Sequence, residues 1–479
     1  MLEWTGVVCV LVSVATIWSV LKYLGAENRS PPLCRELEVP RRKSKRCASD
    51  RGTGTERPPE GPPEGPAESP TVAMICKPSA LANYLLRHCP SFCKSESTPA
   101  WDWRASPCAQ TVVGAFWPHD SAVHFVRDHL QLSDDGLIAL DWAAVGAAQH
   151  KRRTSSNSTS PILLIIPNSF GKITRNVRKL CEAALGHGYL PVVFNRRSQN
   201  GTPLCTLKLQ EFGDPADLRE AVRYIRYRQP AGRLYAVSES TGSGLLLSYL
   251  GECGSSSYVT AAACLSPVFR CQSWFESGPT WLFHRALLLY QKFCLSRYKT
   301  VLTELVHTDS LFSSPSLRSM EEVLFCQAGP KGPPAEGAWE AYWERNDPLR
   351  DVDEVAIPVL CICSRDDPVR GDPRATLPLE LFEGNPHFFL LLSSHGGHCG
   401  FATPDEGPVL WSHRALLEFF RATSDFFAAE ERAKQTARRR GLGGGGKAFR
   451  HRSVSTCKKL PVCSHNIHAI YNWQRSYTR

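Results

Sequence analysis

From residue 162 onward, short runs of branched apolar residues alternate with stretches in which apolar side chains recur every three or four positions. Ile162-Leu163-Leu164-Ile165-Ile166 is apolar throughout, the pattern of a strand buried on both faces. Val177, Leu180, Cys181, Ala184 and Leu185 then recur at helical spacing, and residues 189–195 form the next apolar run. Asp214 and Pro215 open another helix, as N-cap and first-turn residue, with Leu218, Ala221, Val222 and Ile225 along one face. Further strands are expected over 234–239, 258–264, 358–363 and 387–392. A closing helix over 409–427 carries Leu416, Phe419, Phe420, Thr423 and Phe427 on one face. This alternation predicts an α/β fold built on a doubly wound, mostly parallel sheet. Upstream, residues 76–93 read as a short helical lead-in, and turn residues between two alternating runs predict a hairpin over 130–142.

The strand at 234–239 runs directly into small residues, Ser238-Glu239-Ser240-Thr241-Gly242, and then into a helix-compatible apolar run. Strand, tight turn and helix make a nucleophile elbow, in which a serine is exposed on a strained turn at a strand's carboxyl end. The usual pattern is Gly-x-Ser-x-Gly; Gly242 supplies its second glycine, and Ser238 replaces the first. A serine hydroxyl is a weak nucleophile at neutral pH, so it needs an adjacent base and an acid that fixes the base's tautomer. Both residue types follow later strands, in the order Ser, acid, His. Asp366 and Asp367 come after the strand at 358–363, and His395 and His398 after the one at 387–392. In a parallel sheet those strand ends share one edge. Ser240, Asp367 and His398 are therefore the candidate triad, with Asp366 as an alternative acid and His395 and His413 as weaker bases. The turn Pro167-Asn168-Ser169-Phe170-Gly171 after the first central strand is placed to supply an oxyanion donor. The amides of Ser169 and Thr241 are the expected pair.

Between the strands at 258–264 and 358–363 the rhythm breaks. Residues 267–350 are rich in aromatics and helical runs, as expected of a lid inserted over a pocket. Residues 4–21 are uncharged and mostly apolar, long enough for one membrane span, and Arg41-Arg42-Lys43-Ser44-Lys45-Arg46 lies downstream. Residues 1–25 are thus expected to act as an anchor that leaves the domain facing the cytosol, for instance on the endoplasmic reticulum. The alternative is a cleaved signal sequence and secretion. Residues 26–75 have the Pro/Glu-rich composition of a disordered linker, and 76–430 are expected to fold.

The formal charge of +10 is concentrated at one end. From residue 432 on there are twelve Lys/Arg and no Asp/Glu, which leaves 44 basic against 46 acidic residues in the rest. A basic, Gly-rich tail over 431–479 suits an anionic surface or an acidic partner, and no nucleic-acid-binding core is indicated. Nineteen cysteines without zinc-site spacing read as mostly buried free thiols in a reducing compartment. Asn28, Asn157 and Asn200 begin glycosylation sequons, a tripeptide common by chance.

Beyond the elbow, several motifs carry a resemblance: Ser106-Pro107-Cys108-Ala109-Gln110-Thr111, Asp135-Gly136, Leu140-Asp141-Trp142, Phe194-Asn195-Arg196-Arg197, Asp214-Pro215-Ala216-Asp217-Leu218, Tyr342-Trp343, Asp366-Asp367-Pro368 and Gly396-Gly397-His398-Cys399-Gly400-Phe401. Over residues 75–430 the chain resembles AB-hydrolase subfamily four of the α/β-hydrolases, which includes membrane-anchored lipid esterases. The resemblance implies that hydrolase fold with a helical lid insertion, and favours Asp367, the aspartate before Pro368. It departs at the chemistry, where Ser238, Ser243, Asn168 and Ser198 replace glycines and Cys108 replaces a histidine. Two functions follow. One is a serine carboxylic ester hydrolase of the lipase or esterase type, acting on lipid or acyl esters at a membrane, with neither metal nor organic cofactor. The other is a catalytically weak or inactive hydrolase fold that binds a protein partner in lipid metabolism.

Overall fold

The alternating runs assemble into one nine-stranded sheet. The computed structural model describes residues 72–93, 103–119, 121–145, 158–327, 332, 336–402 and 409–442, all within the unit Thr71–Arg479. The strands are β1 (Val72–Ile75), β2 (His124–Gln131), β3 (Leu137–Ala144), β4 (Ile162–Ile166), β5 (Leu190–Asn195), β6 (Leu234–Glu239), β7 (Val259–Leu265), β8 (Val359–Ser364) and β9 (Phe388–Ser393). Across the sheet they stand in the order β1-β9-β8-β7-β6-β4-β5-β3-β2. β4 to β9 run parallel. The hairpin β2–β3 joins β5 antiparallel, and β1 lies antiparallel beside β9. The chain leaves β4 on one side for β5 and returns on the other for β6, so the order reverses there. Such a switch point opens a crevice at the strands' carboxyl ends, where β6 delivers Ser240.

Period-two alternation divides the core between the two faces of the sheet. Leu163 and Ile165 of β4 pack with α2 (Arg175–Gly186) and α6 (Trp411–Leu442) on one face. Ile162, Leu164 and Ile166 pack with α3 (Ala216–Arg228) and α4 (Gly242–Cys253) on the other. The α3 helix begins one residue later than expected, with Asp214 accepting from the Ala216 amide at 2.9 Å. Between β7 and β8 a helical insertion, including α5 (Trp281–Ser296) and Ala338–Asn346, has its own apolar centre around Trp274, Phe275, Met320, Tyr342 and Trp343. The helix α1 (Pro107–Phe116) reaches the same sheet edge from the N-terminal side.

Three expectations change. Residues 72–75, placed in the linker, instead form β1, because Val72 to Ile75 can close the exposed edge of β9. The last helix continues to Leu442, into the expected tail. The expected single-pass anchor is not supported: among the described residues no helix is long and apolar enough to cross a membrane. The stretch 4–21 on which that expectation rested lies outside the described residues, as do the remainder of 1–71 and the tail from 443 on. The described cysteines are free thiols, among them buried Cys181, Cys264, Cys361 and Cys363.

Candidate active site

Ser240 leaves β6 at φ 52°, a left-handed conformation that costs a non-glycine residue about 1–2 kcal/mol. Its amide donates to the Leu265 carbonyl of neighbouring β7 at 2.8 Å, which holds the turn in place. Helix α4 starts immediately at Gly242. A Cβ at that position would lie 2.2 Å from the Pro167 carbonyl oxygen, so only glycine lets the elbow approach the β4 turn. Ser238, at the usual first glycine, is fully buried in register between Ile166 and Cys264. The Ser243 hydroxyl donates to the Ser240 carbonyl. The Ser243 hydroxyl is thus satisfied, the buried Ser238 hydroxyl has no hydrogen-bond partner among the described residues, and the elbow keeps its left-handed turn.

The late loops bring base and acid to this serine. His398 Nε2 lies 2.6 Å from Ser240 Oγ, and its Nδ1 lies 2.8 Å from Asp367 Oδ2. A carboxylate can only accept, so Nδ1 carries the proton and Nε2 is left to accept from the serine hydroxyl. Asp367 Oδ1 receives the amides of Val369 and Arg370, each at 2.9 Å. Burial pushes the Asp367 carboxyl up, but the His398 imidazole, the Arg370 guanidinium and the backbone donors outweigh it and leave it below its ordinary range. Asp366 turns to a different task, receiving the Gly397 amide at 3.0 Å and facing exposed His395 at 3.3 Å. His413 is buried on α6 with both ring nitrogens unpartnered, and burial lowers it to about 3. Neither weaker base joins the serine.

Positioning residues that spacing alone did not reveal come from α1. The Thr111 hydroxyl receives the His398 amide at 2.9 Å and donates to the Pro107 carbonyl at 2.7 Å. Gln110 Oε1 receives the Ala402 amide at 3.0 Å. Gly397, at φ 57°, passes so close to α1 that a Cβ would meet the Pro107 carbonyl at 2.4 Å. The Gln-Thr pair, known beforehand only as part of a motif, thus cradles the histidine loop. No periodicity links residues nearly three hundred positions apart.

The two expected oxyanion donors are adjacent, with one difference from expectation. The Ser169 amide already donates to Thr241 Oγ1 at 2.9 Å, and the Ser169 hydroxyl donates to the same oxygen at 2.8 Å. Above Ser240 and His398 lies a cavity of about 120 Å³ whose walls include Phe116, Phe170, Trp274, Phe283, Leu287 and Tyr290. Insertion residues therefore form part of the wall over the serine, which suits an apolar chain better than a charged ligand. Among the described residues no cluster of His, Cys, Asp and Glu could hold a metal ion.

Glu239 also reaches this cavity, fully buried beside the serine. Burial pushes its carboxyl up to about 7, against a 3.1 Å hydrogen bond from the Thr174 hydroxyl. Between its ordinary 4.5 and about 7, the folded protein keeps a proton that the unfolded chain has released, so this group withdraws stability as pH rises through that window. Glu321, also raised to about 7 by burial, acts in the same direction but cancels in a comparison of variants. In paired urea melts, Glu239→Gln should gain stability relative to wild type from about pH 5 to pH 7. A pH-independent difference would show that Glu239 does not titrate there.

No family model matches the chain. Human Protein ABHD15 is 53% identical over 413 residues, covering 85% of this chain and 85% of that protein. Bovine Phospholipase ABHD3 is 26% identical over 331 residues, 67% of this chain and 77% of its own. Human Monoacylglycerol lipase ABHD2 is 22% identical over 369 residues, 72% of this chain and 84% of its own.

Proposed function

Since the chain belongs to the ABHD15 family of α/β-hydrolases, we propose that it is a serine hydrolase acting on the ester bond of a lipid or acyl ester. The observation that carries this reading is the continuous hydrogen-bond chain from Ser240 through His398 to Asp367, set on a left-handed turn beneath an apolar cavity. Ser240 Oγ attacks the acyl carbon while His398 Nε2 takes its proton. The resulting imidazolium is stabilised by Asp367 and returns the proton to the leaving alcohol. Water, deprotonated by the same nitrogen, then releases the acid from the acyl-serine. The names of the ABHD3 and ABHD2 relatives, a phospholipase and a monoacylglycerol lipase, support a lipid ester as the substrate class.

The competing reading is a hydrolase fold that binds a partner without catalysing. It is favoured by the Ser169 amide being engaged before any substrate arrives. A fluorophosphonate probe separates the two, since it reacts with a serine only when its base activates it. Purified protein should acquire a phosphonyl group, mapped by peptide mass to Ser240. If the folded protein stays unmodified at millimolar probe, the hydrolase reading is wrong and the docking reading replaces it.

A further inference from the structure

Thr241 stands where the reaction needs an empty space. In acyl transfer the oxyanion must accept from two backbone amides, one from the turn after β4 and one from the residue that follows the nucleophile. Those residues are Ser169 and Thr241. A threonine hydroxyl has two lone pairs. Thr241 Oγ1 uses them to accept the Ser169 amide at 2.9 Å and the Ser169 hydroxyl at 2.8 Å. The side chain of the second donor residue therefore fills the acceptor position served by the first donor. One N–H cannot serve two acceptors at full strength.

The contact is not a loose surface arrangement. Thr241 is fully buried. The next peptide along is held as well, because Gln199 Nε2 donates to the Ser169 carbonyl and packs against Gly171, at φ 73°. With the Ser169 carbonyl anchored next to its amide, the movable part is the Thr241 hydroxyl, which a change of χ1 rotamer moves.

We propose that Thr241 is a built-in plug: its hydroxyl occupies the oxyanion hole of the resting protein, and the developing oxyanion must displace it as Ser240 reacts. An oxyanion accepts a charge-assisted hydrogen bond roughly twice as strong as that to a neutral hydroxyl, so the developing tetrahedral intermediate wins the Ser169 amide only as charge builds. The plug slows a reaction whose nucleophile is otherwise ready. It makes Thr241 a positioning residue that acts through the Ser169 amide, and it rests on the hydrolase reading above.

The test compares wild type, Thr241→Ala and Thr241→Ser in the rate of fluorophosphonate capture, together with hydrogen exchange at the Ser169 amide. One oxyanion-hole donor is worth on the order of 10² to 10³ in rate. Freeing the Ser169 amide in Thr241→Ala should therefore speed capture by on the order of 10²-fold and accelerate exchange at that amide. Thr241→Ser keeps the hydroxyl and should stay close to wild type. If wild type is captured but Thr241→Ala is no faster, or if Ser169 exchange is unchanged, the plug is overturned while the hydrolase reading stands. If neither protein is captured, the hydrolase reading falls, and the plug with it.

Discussion

Replacing Ser240 by alanine should abolish capture by a fluorophosphonate, and replacing Asp367 by asparagine should slow capture by about 10⁴ without unfolding the protein. The second effect follows from how Asp367 is held. Its Oδ1 accepts the Val369 and Arg370 amides. An asparagine must place its carbonyl oxygen in the same place, which puts its NH₂ group where Oδ2 now faces His398 Nδ1. An amide NH₂ only donates, so the imidazole has to present a bare Nδ1 and carry its proton on Nε2. That nitrogen lies 2.6 Å from the serine hydroxyl and would no longer take its proton. Asp366→Asn is the control, since Asp366 contacts His395 and the Gly397 amide instead. It should retain most of the wild-type rate. Capture rates across pH, with melting curves to verify folding, decide the matter. Asp367→Asn within tenfold of wild type would mean that the acid is not setting the tautomer.

What the sequence disclosed divides by the range of the interactions involved. The strand runs, the α2 and α3 faces and the elbow depend on neighbours within a few residues, and the residues that form them carry their own signature. That Ser240, His398 and Asp367 meet was also legible, because each follows directly after an apolar strand and a parallel sheet gathers those ends at one edge. The choice between Asp366 and Asp367 was not local. It depends on which carboxylate the Val369 and Arg370 amides turn toward His398, and adjacent aspartates look alike in a linear pattern. β1 was missed because four residues after a Pro/Glu-rich stretch have no periodicity to detect; only pairing with β9 makes them a strand. The glycine replacements looked more threatening than they are. Ser198 is held at φ 62°, so the surrounding packing imposes a left-handed turn on a residue that does not prefer it. The engagement of Ser169 by Thr241 involves residues 72 positions apart and could only be seen in three dimensions.

Arg197 is where removal of one side chain should cost the most stability, about 3–5 kcal/mol for Arg197→Met. The residue lies just past β5 and makes two forked contacts. Nε and Nη2 donate to the two oxygens of Asp217 in the first turn of α3, at 2.7 and 2.8 Å. Nη1 and Nη2 also donate to Asp134 in the β2–β3 turn, at 2.8 and 3.0 Å. One buried guanidinium therefore ties the sheet, a helix and a hairpin, and Gly136 leaves it room: a Cβ there would meet Nη1 at 2.3 Å. Methionine would fill most of the volume but leave Asp217 buried without a countercharge, and that stranded carboxylate accounts for most of the loss. Lysine keeps the charge but lacks the planar fork, so Arg197→Lys should fall between methionine and wild type. Asp134→Asn should cost much less, because Asp134 is partly exposed and water can replace the fork. Exchanging both buried partners, Arg197→Met with Asp217→Leu, should recover much of what the single change loses. Urea melts of these four variants against wild type measure the series. If Arg197→Met lies within about 1 kcal/mol of wild type, Asp217 is reaching solvent and is not the buried partner that its 2.7 Å contact implies.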